Sequence, residues 1–258
     1  MTTTHRDIDL ALRADANLRA VSSAWARASG GSVWTNDDVF AALSGAETRA
    51  YNRAFVLRQP ADPHSSFTEA REHLAAHAPM SRLYALESMN IDESVLSAAG
   101  LQRDGAVPSM ALHPIDATPS GPDVEIMPVR SHSMLAVLVG LVASTFEFPH
   151  DLLTRVFKPP LLQDPAWHGY VAYVDGTPAA TSTLYVHDRV AGIYYVGTLK
   201  QYRNRGLGEA VTRRCVIDGF AAGCDMASLQ ASPEGQPVYE RMGFQHVGYY
   251  RTYIPQEA

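Results

Sequence analysis

Arg203-Asn204-Arg205-Gly206-Leu207-Gly208-Glu209-Ala210 is the stretch on which the reading of this chain turns. It follows an apolar, β-rich run, Ile193 to Leu199, and it opens an amphipathic segment, Gly206 to Ala222, that stops at Gly223. The pattern predicts a strand, a short basic glycine loop and a helix. The first N–H groups of a helix have no partner inside it, and the helix dipole adds partial positive charge there. Gly206 and Gly208 carry no Cβ to keep an anion away from the backbone, and Arg203 and Arg205 add formal charge. Local physics therefore predicts a pyrophosphate site.

Glycine spacing separates three kinds of phosphate loop. A Walker loop needs Gly-x-x-x-x-Gly-Lys followed by Ser or Thr, and the chain has none. A dinucleotide fingerprint needs a third glycine where Val211 stands, and it belongs near the first strand of an alternating β/α chain. Here antiparallel hairpins are expected upstream instead. The third kind, Arg or Gln-x-x-Gly-x-Gly or Ala, is matched in full by Arg203 to Gly208.

In that match, and in its surroundings, the second half of the chain resembles the GNAT superfamily of acyl-CoA-dependent N-acyltransferases. Gly197 to Val211 has the strand, the Tyr-Arg pair and the glycines in the family's order. Leu229 to Phe244 looks like the family's second motif, a strand, a short helix and a Tyr-x-x-x-Gly-Phe ending at Tyr239, Gly243 and Phe244. The resemblance implies an α+β chain with the GNAT fold, a mixed and mostly antiparallel sheet flanked by helices. The first half resembles the same fold less specifically, through Gly30 to Gly45, Tyr51 to Val56 and Ala98 to Pro114, and has no glycine-arginine loop. By resemblance, residues 1–118 are a degenerate GNAT-like domain that is structural or forms one wall of the substrate cleft. Residues 119–258 are the catalytic domain. A helix–sheet domain of other ancestry is the alternative for the first half.

The division falls at His113 to Asp123, where three prolines, a glycine and small polar residues predict an extended linker. Before it, the pattern predicts a helix over Ile8–Ala28, a hairpin over Ser32–Ser44, a strand over Tyr51–Leu57 and a helix from a Ser66–Glu69 capping box to Ala78. A strand over Arg82–Leu86, a helix over Ser94–Ala99 and a strand over Ser109–His113 follow. After the linker come a strand over Val124–Val129, helices over Met134–Phe146 and His150–Phe157, and a hairpin over Gly169–Val186 turning at Asp175-Gly176. The strand over Gly192–Leu199, the helix over Gly206–Ala222, a strand over Ala227–Ala231, a short helix over Gln236–Met242 and a strand over His246–Ile254 complete the order.

Composition sets the outer limits. A chain of 258 residues, 46% apolar and 19% charged, is globular rather than disordered. Its net charge of −6 argues against general nucleic-acid binding. The polar, acid-bearing N-terminus is unlike a signal or transit peptide, and the apolar run Met134–Phe146 is too short to span a bilayer. Two cysteines, Cys215 and Cys224, make no disulfide framework and fit a reducing compartment. The expectation is a cytoplasmic protein with no nucleic-acid or membrane partner; a homodimer is compatible with it.

The resemblance also implies a chemistry. Backbone N–H groups from Asn204 to Glu209, including Leu207, grip the pyrophosphate of the co-substrate acetyl-CoA, with Arg203 and Arg205 assisting. Backbone N–H groups at Thr198 and Leu199 stabilise the oxyanion and pair with the pantetheine arm. Tyr239 protonates the departing thiolate, a task that suits a phenol because its ordinary pKa of about 10 exceeds the ~8.5 of a thiol. Ser232 stands where many members carry a CoA-contacting asparagine. No general base is marked: Val190 holds the position of the family's glutamate, and Glu147, His150 and Asp188 are polar residues near the expected acceptor entrance. No metal is implied. Glu72, His73 and His77 on one helix read as surface groups, the two cysteines as buried structural thiols, and Tyr249, Tyr250 and Tyr253 as either strand aromatics or an acceptor-pocket lining. The function expected is transfer of acetyl from acetyl-CoA to a small-molecule primary amine in a ternary complex. The alternative is a non-catalytic acyl-CoA-binding or regulatory module that keeps the loop.

Overall fold

The computed structural model describes residues 4–114 and 124–256; most of the expected linker, 115–123, lies outside the described residues. The chain opens with helix α1 (His5–Ser29). Thr4 and Asp7 form a capping box at its start, and Gly30, at φ 82°, ends it. Leu10, Ala14, Leu18, Val21 and Trp25 recur at helical spacing and are buried.

Strands β1 (Ser32–Thr35), β2 (Val39–Leu43) and β3 (Asn52–Val56) pair antiparallel. Helix α2 (Pro63–His77) then crosses to β4 (Arg82–Leu86), parallel to β3, and α3 (Glu93–Ala98) leads to β5 (Leu101–Leu112). Beyond the undescribed segment come β6 (Glu125–Pro128), α4 (His132–Phe146) and α5 (His150–Val156). Strands β7 (Trp167–Val174), β8 (Thr177–His187) and β9 (Val190–Thr198) again pair antiparallel. Helix α6 (Leu207–Ala221) crosses to β10 (Met226–Gln230), parallel to β9, and α7 (Gln236–Arg241) leads to β11 (Gln245–Pro255).

Two expectations are corrected. Helix α2 begins at Pro63, not at a Ser66–Glu69 box. Asp62 accepts from the Ser65 N–H, proline sits in the first turn, and the Ser66 hydroxyl donates to Asp38 instead. Strand β5 starts at Leu101, well before Ser109; Gly105 and Pro108 hide it in the sequence, and pairing with β11 along its length holds it extended.

The eleven strands among the described residues form one sheet in the order β1-β2-β3-β4-β11-β5-β10-β9-β8-β7-β6. The run β1-β2-β3-α2-β4-α3-β5 and the run β7-β8-β9-α6-β10-α7-β11 have the same order of elements and the same pairing sense. Their last strands are exchanged. β11 pairs with β4, and β5 pairs with β10 and β11, so each half completes the sheet of the other.

Side-chain alternation along the strands sorts the core into two faces. Phe55 and Tyr84 face α1 together with the residues of α4 and α5, while Ala54, Val56, Leu83 and Ala85 face α2 and α3. Ile193, Leu229 and Cys215 pack on the side of α6 and α7. Helix α1 touches β2, β5, β8, β9 and β11, so the sheet curls around it. No helix among the described residues is long and apolar enough to cross a membrane.

Candidate active site

Strand β9 pairs with β8 along nearly its whole length, but with β10 only from Val190 to Gly192. Beyond Gly192 the two parallel strands part, and the β9 edge from Ile193 to Thr198 faces an opening. A bulge opposite Ser182 sharpens this, with Tyr195 at φ 52°, a conformation unfavourable for a bulky side chain. The bulge turns two successive tyrosines, Tyr194 and Tyr195, toward α1 and α4, while Val196 faces α6.

The loop from Arg203 to Gly206 is exposed. Asn204 (φ 62°) and Gly206 (φ 75°) are left-handed, and Gly206 is the N-cap of α6. The alternating backbone turns the N–H groups of Leu207, Gly208 and Glu209 outward at the start of a fifteen-residue helix. The Arg203 Nε donates to the Thr198 carbonyl at 3.3 Å, and the Arg205 guanidinium lies 5.5 Å from the centre of the Tyr202 ring. Leu207 and Val211 bury the inner face of α6 against Ala179 and Ala180 of β8. A Cβ at Gly208 would meet nothing closer than the Thr198 Oγ1 at 3.7 Å. Packing alone therefore does not demand a glycine there, whereas close approach of an anion is eased by one.

Thr198 and Leu199 separate at this point. The Leu199 N–H is donated to the Ala179 carbonyl at 3.0 Å, so the expected oxyanion donor at Leu199 is corrected: that N–H belongs to the sheet. Antiparallel strands alternate their N–H groups between edges, which leaves the Thr198 N–H on the opposite edge, toward the gap from β10.

Tyr239 sits on α7, 8% exposed, in the buried cluster that contains Ile193, Leu229 and Cys215, with Val196 packed against it. Burial, with a smaller contribution from the Cys215 thiol, pushes its pKa up to about 12. Phe244 meets it edge-on at 6.0 Å. Ser232 is exposed, and its hydroxyl accepts from the Gly235 N–H at 3.1 Å, closing the turn into α7.

The polar residues expected near the acceptor are dispersed. Asp188 lies in the β8–β9 turn, at the far end of β9 from Thr198, roughly 30 Å away along the strand. Glu147 is the left-handed C-cap of α4 and His150 begins α5; both are exposed. Val190 is buried, and its carbonyl accepts from Asn17. Cys215 is fully buried beside Ser182, and burial raises its pKa to about 12, so it is no thiolate nucleophile; Cys224 is buried as well. The rings of His73 and His77 stack on each other at 4.2 Å, and His73 stacks on Trp34. On β11, Tyr253 packs among residues of α2 and α3, Tyr250 meets Tyr84, and Tyr249 is exposed. None of the three makes a ring contact with β9.

Aromatic side chains from elsewhere do. Trp25, Tyr51, Phe146, Phe148, Phe157, Tyr194 and Tyr195 form a continuous set of ring contacts beside β9, joined by Arg53. Phe146, Phe148 and Phe157 flank Glu147 and His150, two of the residues expected near the acceptor entrance. Trp25, Tyr51 and Arg53 come from the first half and belong to no catalytic motif. Their one signal is a charged residue, Arg53, in a short strand that continues as Ala54-Phe55-Val56. Asn17, fully buried, fixes the arrangement: its amide donates to the carbonyls of Tyr185 (3.0 Å) and Val190 (2.8 Å) and accepts from the Tyr194 hydroxyl (2.7 Å).

Residues 138–244 match the family model described as the acetyltransferase (GNAT) family. A GCN5-related N-acetyltransferase from Kribbella flavida is similar in structure, with a TM-score of 0.70 and 20% identity over 93% of this chain and 96% of that one. A conserved protein of unknown function from Staphylococcus epidermidis has a TM-score of 0.63 at 17% identity, covering 88% of this chain and 95% of its own. A GCN5-related N-acetyltransferase from Sphaerobacter thermophilus has a TM-score of 0.61 at 15% identity, covering 84% of this chain and 76% of its own. At these identities the likeness is one of fold. No curated protein matches the chain.

Proposed function

We propose that this protein, whose residues 138–244 match the GNAT acetyltransferase family model, transfers acetyl from acetyl-CoA directly to the primary amine of a small molecule. The observation that carries the proposal is the join of β9, the loop Arg203–Gly206 and α6 at the point where β9 and β10 part. In this reading an open strand edge, a cluster of outward N–H groups and a buried phenol serve one opening. That suits an extended chain ending in a pyrophosphate at one side and a thioester at the other.

In this reading the N–H groups of Asn204 to Glu209, with Arg203 and Arg205, hold the pyrophosphate, and exposed Ser232 lies at the rim. The free β9 edge pairs with the pantetheine arm, and the Thr198 N–H is the edge donor nearest the loop. An N–H of this edge stabilises the oxyanion as the neutral amine attacks the thioester carbonyl. The C–N bond forms, the C–S bond breaks, and the leaving thiolate takes the Tyr239 proton. The amine nitrogen releases its extra proton to solvent, which restores the phenol. The products are an amide and free CoA.

We also read the chain as two GNAT-like halves, 1–118 and 119–258, of which only the second holds the co-substrate. In the first half the corresponding loop, between β3 and α2, has no glycine, and the Asp62 carboxylate caps α2. A built-in anion stands where a pyrophosphate would have to lie. The first half instead supplies α1, Trp25 and Tyr51 as one wall of the acceptor cleft. Titration with acetyl-CoA, followed by a thiol-release assay over a panel of amines, tests the proposal. Amine-dependent release of CoA supports it; binding without release for any amine favours a non-catalytic module.

A further inference from the structure

Tyr51, Arg53 and Phe55 alternate along β3 and share the face that looks toward α1. Arg53 is half-buried. Its guanidinium lies 5.3 Å from the centre of the Trp25 ring and 6.0 Å from that of Tyr84, and its Nε donates to the Ala50 carbonyl at 2.8 Å. Among the described residues no carboxylate pairs with it, although the other arginines on this face, Arg13 and Arg19, each have one. Ring faces offset part of the cost of withdrawing a guanidinium from water, but they accept no in-plane hydrogen bond.

The surroundings add donors. The Tyr51 and Tyr195 rings stack at 5.8 Å, and Trp25 meets them edge-on at 5.8 and 5.3 Å. The Tyr51 hydroxyl, the Tyr195 hydroxyl and the Trp25 Nε1 are all buried without a hydrogen-bond partner among the described residues. Tyr51 itself is only 2% exposed. Burial raises the pKa of both phenols, that of Tyr195 to about 12, so each keeps its proton at neutral pH. A cation that spends its Nε on the Ala50 carbonyl, two phenols turned toward each other and an indole N–H are thus gathered with no acidic partner. Buried polar groups are normally satisfied, and what this set lacks is an anion.

This cluster adjoins the proposed reaction edge. Tyr195 precedes Thr198 by three residues, about 10 Å along a strand. Phe146 meets Tyr195 at 5.7 Å, and a Cβ on Gly197 would come within 3.1 Å of the Phe146 ring. We propose that Arg53, with Tyr51 and Tyr195, anchors a carboxylate on the acceptor, so that the acceptor is an amine that also carries a carboxylate and an apolar or aromatic body. A planar guanidinium matches a carboxylate, the aromatic walls match the body, and the spacing places the amine toward the β9 edge. The amine itself rests on the acetyl-transfer reading; the carboxylate site does not.

The test uses the full chain and matched probes: phenylalanine, 4-aminobenzoate and 5-aminovalerate, each against the same amine without its carboxylate. Binding is followed by calorimetry, and transfer by CoA release, in the wild-type protein, Arg53→Gln and Arg53→Lys. At least one acid should bind and react about 10- to 100-fold better than its partner amine, the range a charged hydrogen-bonded pair supplies. Arg53→Gln should erase that preference and leave acetyl-CoA affinity unchanged, while Arg53→Lys keeps part of it. No preference for any acid, or a preference that survives in Arg53→Gln, overturns the inference. Arg53-dependent binding of an acid without transfer to any amine sinks the acetyl-transfer reading and leaves the carboxylate site standing.

Discussion

The rings of Tyr51 and Tyr195 stack 5.8 Å apart, although β3 and β9 stand five places apart in the sheet. In a flat sheet five strand spacings separate residues by about 24 Å. The difference is made by curvature around α1, with Trp25 in contact with both tyrosines. Exchange of β5 and β11 fixes that curvature, because it welds the halves into one sheet that cannot flatten without unpairing the middle strands. The candidate acceptor wall is therefore a property of the whole chain, and the proposed co-substrate loop is a property of one half.

Asn17 ties the two together, since its amide satisfies two carbonyls and the Tyr194 hydroxyl in a fully buried setting. Asn17→Ala should cost roughly 2–4 kcal/mol, because it leaves three buried polar groups unpaired. Urea denaturation measures this directly. A loss below about 0.5 kcal/mol would show that α1 and β9 are held by apolar packing alone.

Gly206→Asp should abolish acetyl-CoA binding in calorimetry without unfolding the chain. Aspartate is among the few residues that tolerate the left-handed backbone at this position, and it places a carboxylate against the incoming pyrophosphate. Unchanged affinity would remove the loop from the site.

Tyr239→Phe should lower kcat by at least tenfold with little change in acetyl-CoA affinity, since only the proton donor is lost. The wild-type pH profile carries a related signature. Burial pushes the Tyr239 pKa up to about 12, so the phenol stays protonated across the assay range. Activity should rise with pH as the acceptor loses its proton, and then level off. A descending limb below pH 10 that vanishes in Tyr239→Phe would show a phenol far more acidic than this environment permits.

Binding stoichiometry follows from the asymmetry of the halves. With Asp62 capping α2 and no glycine in the β3–α2 loop, one acetyl-CoA should bind per chain. A second equivalent of comparable affinity in calorimetry would contradict the proposed loss of the site in the first half.

Local signals made much of this legible in the sequence. The strand, glycine loop and helix at Ile193–Ala222 form as the spacing implies, because Gly206 can take the left-handed N-cap and the apolar face of α6 has β8 and β9 to cover. Tyr239 stands out in the sequence because it belongs to a contiguous motif, and the structure buries it on α7. Two kinds of information were not local. Leu199 looked like a free donor until Ala179, twenty residues earlier, was seen to accept its N–H. Arg53, Tyr51 and Trp25 lie more than 130 residues from Tyr195, and only exchange of the final strands and curvature about α1 bring them to it. No periodicity in either half encodes that exchange.

The most direct test of the central claim is a single incubation of the purified chain with acetyl-CoA and a panel of amines, followed by thiol titration and mass spectrometry of the products. Acetyl transfer predicts CoA release that depends on an amine, matched mole for mole by an acetylated amine. Saturable acetyl-CoA binding with no acetylated product from any amine would contradict it, and would make the chain a binding module built on the same loop.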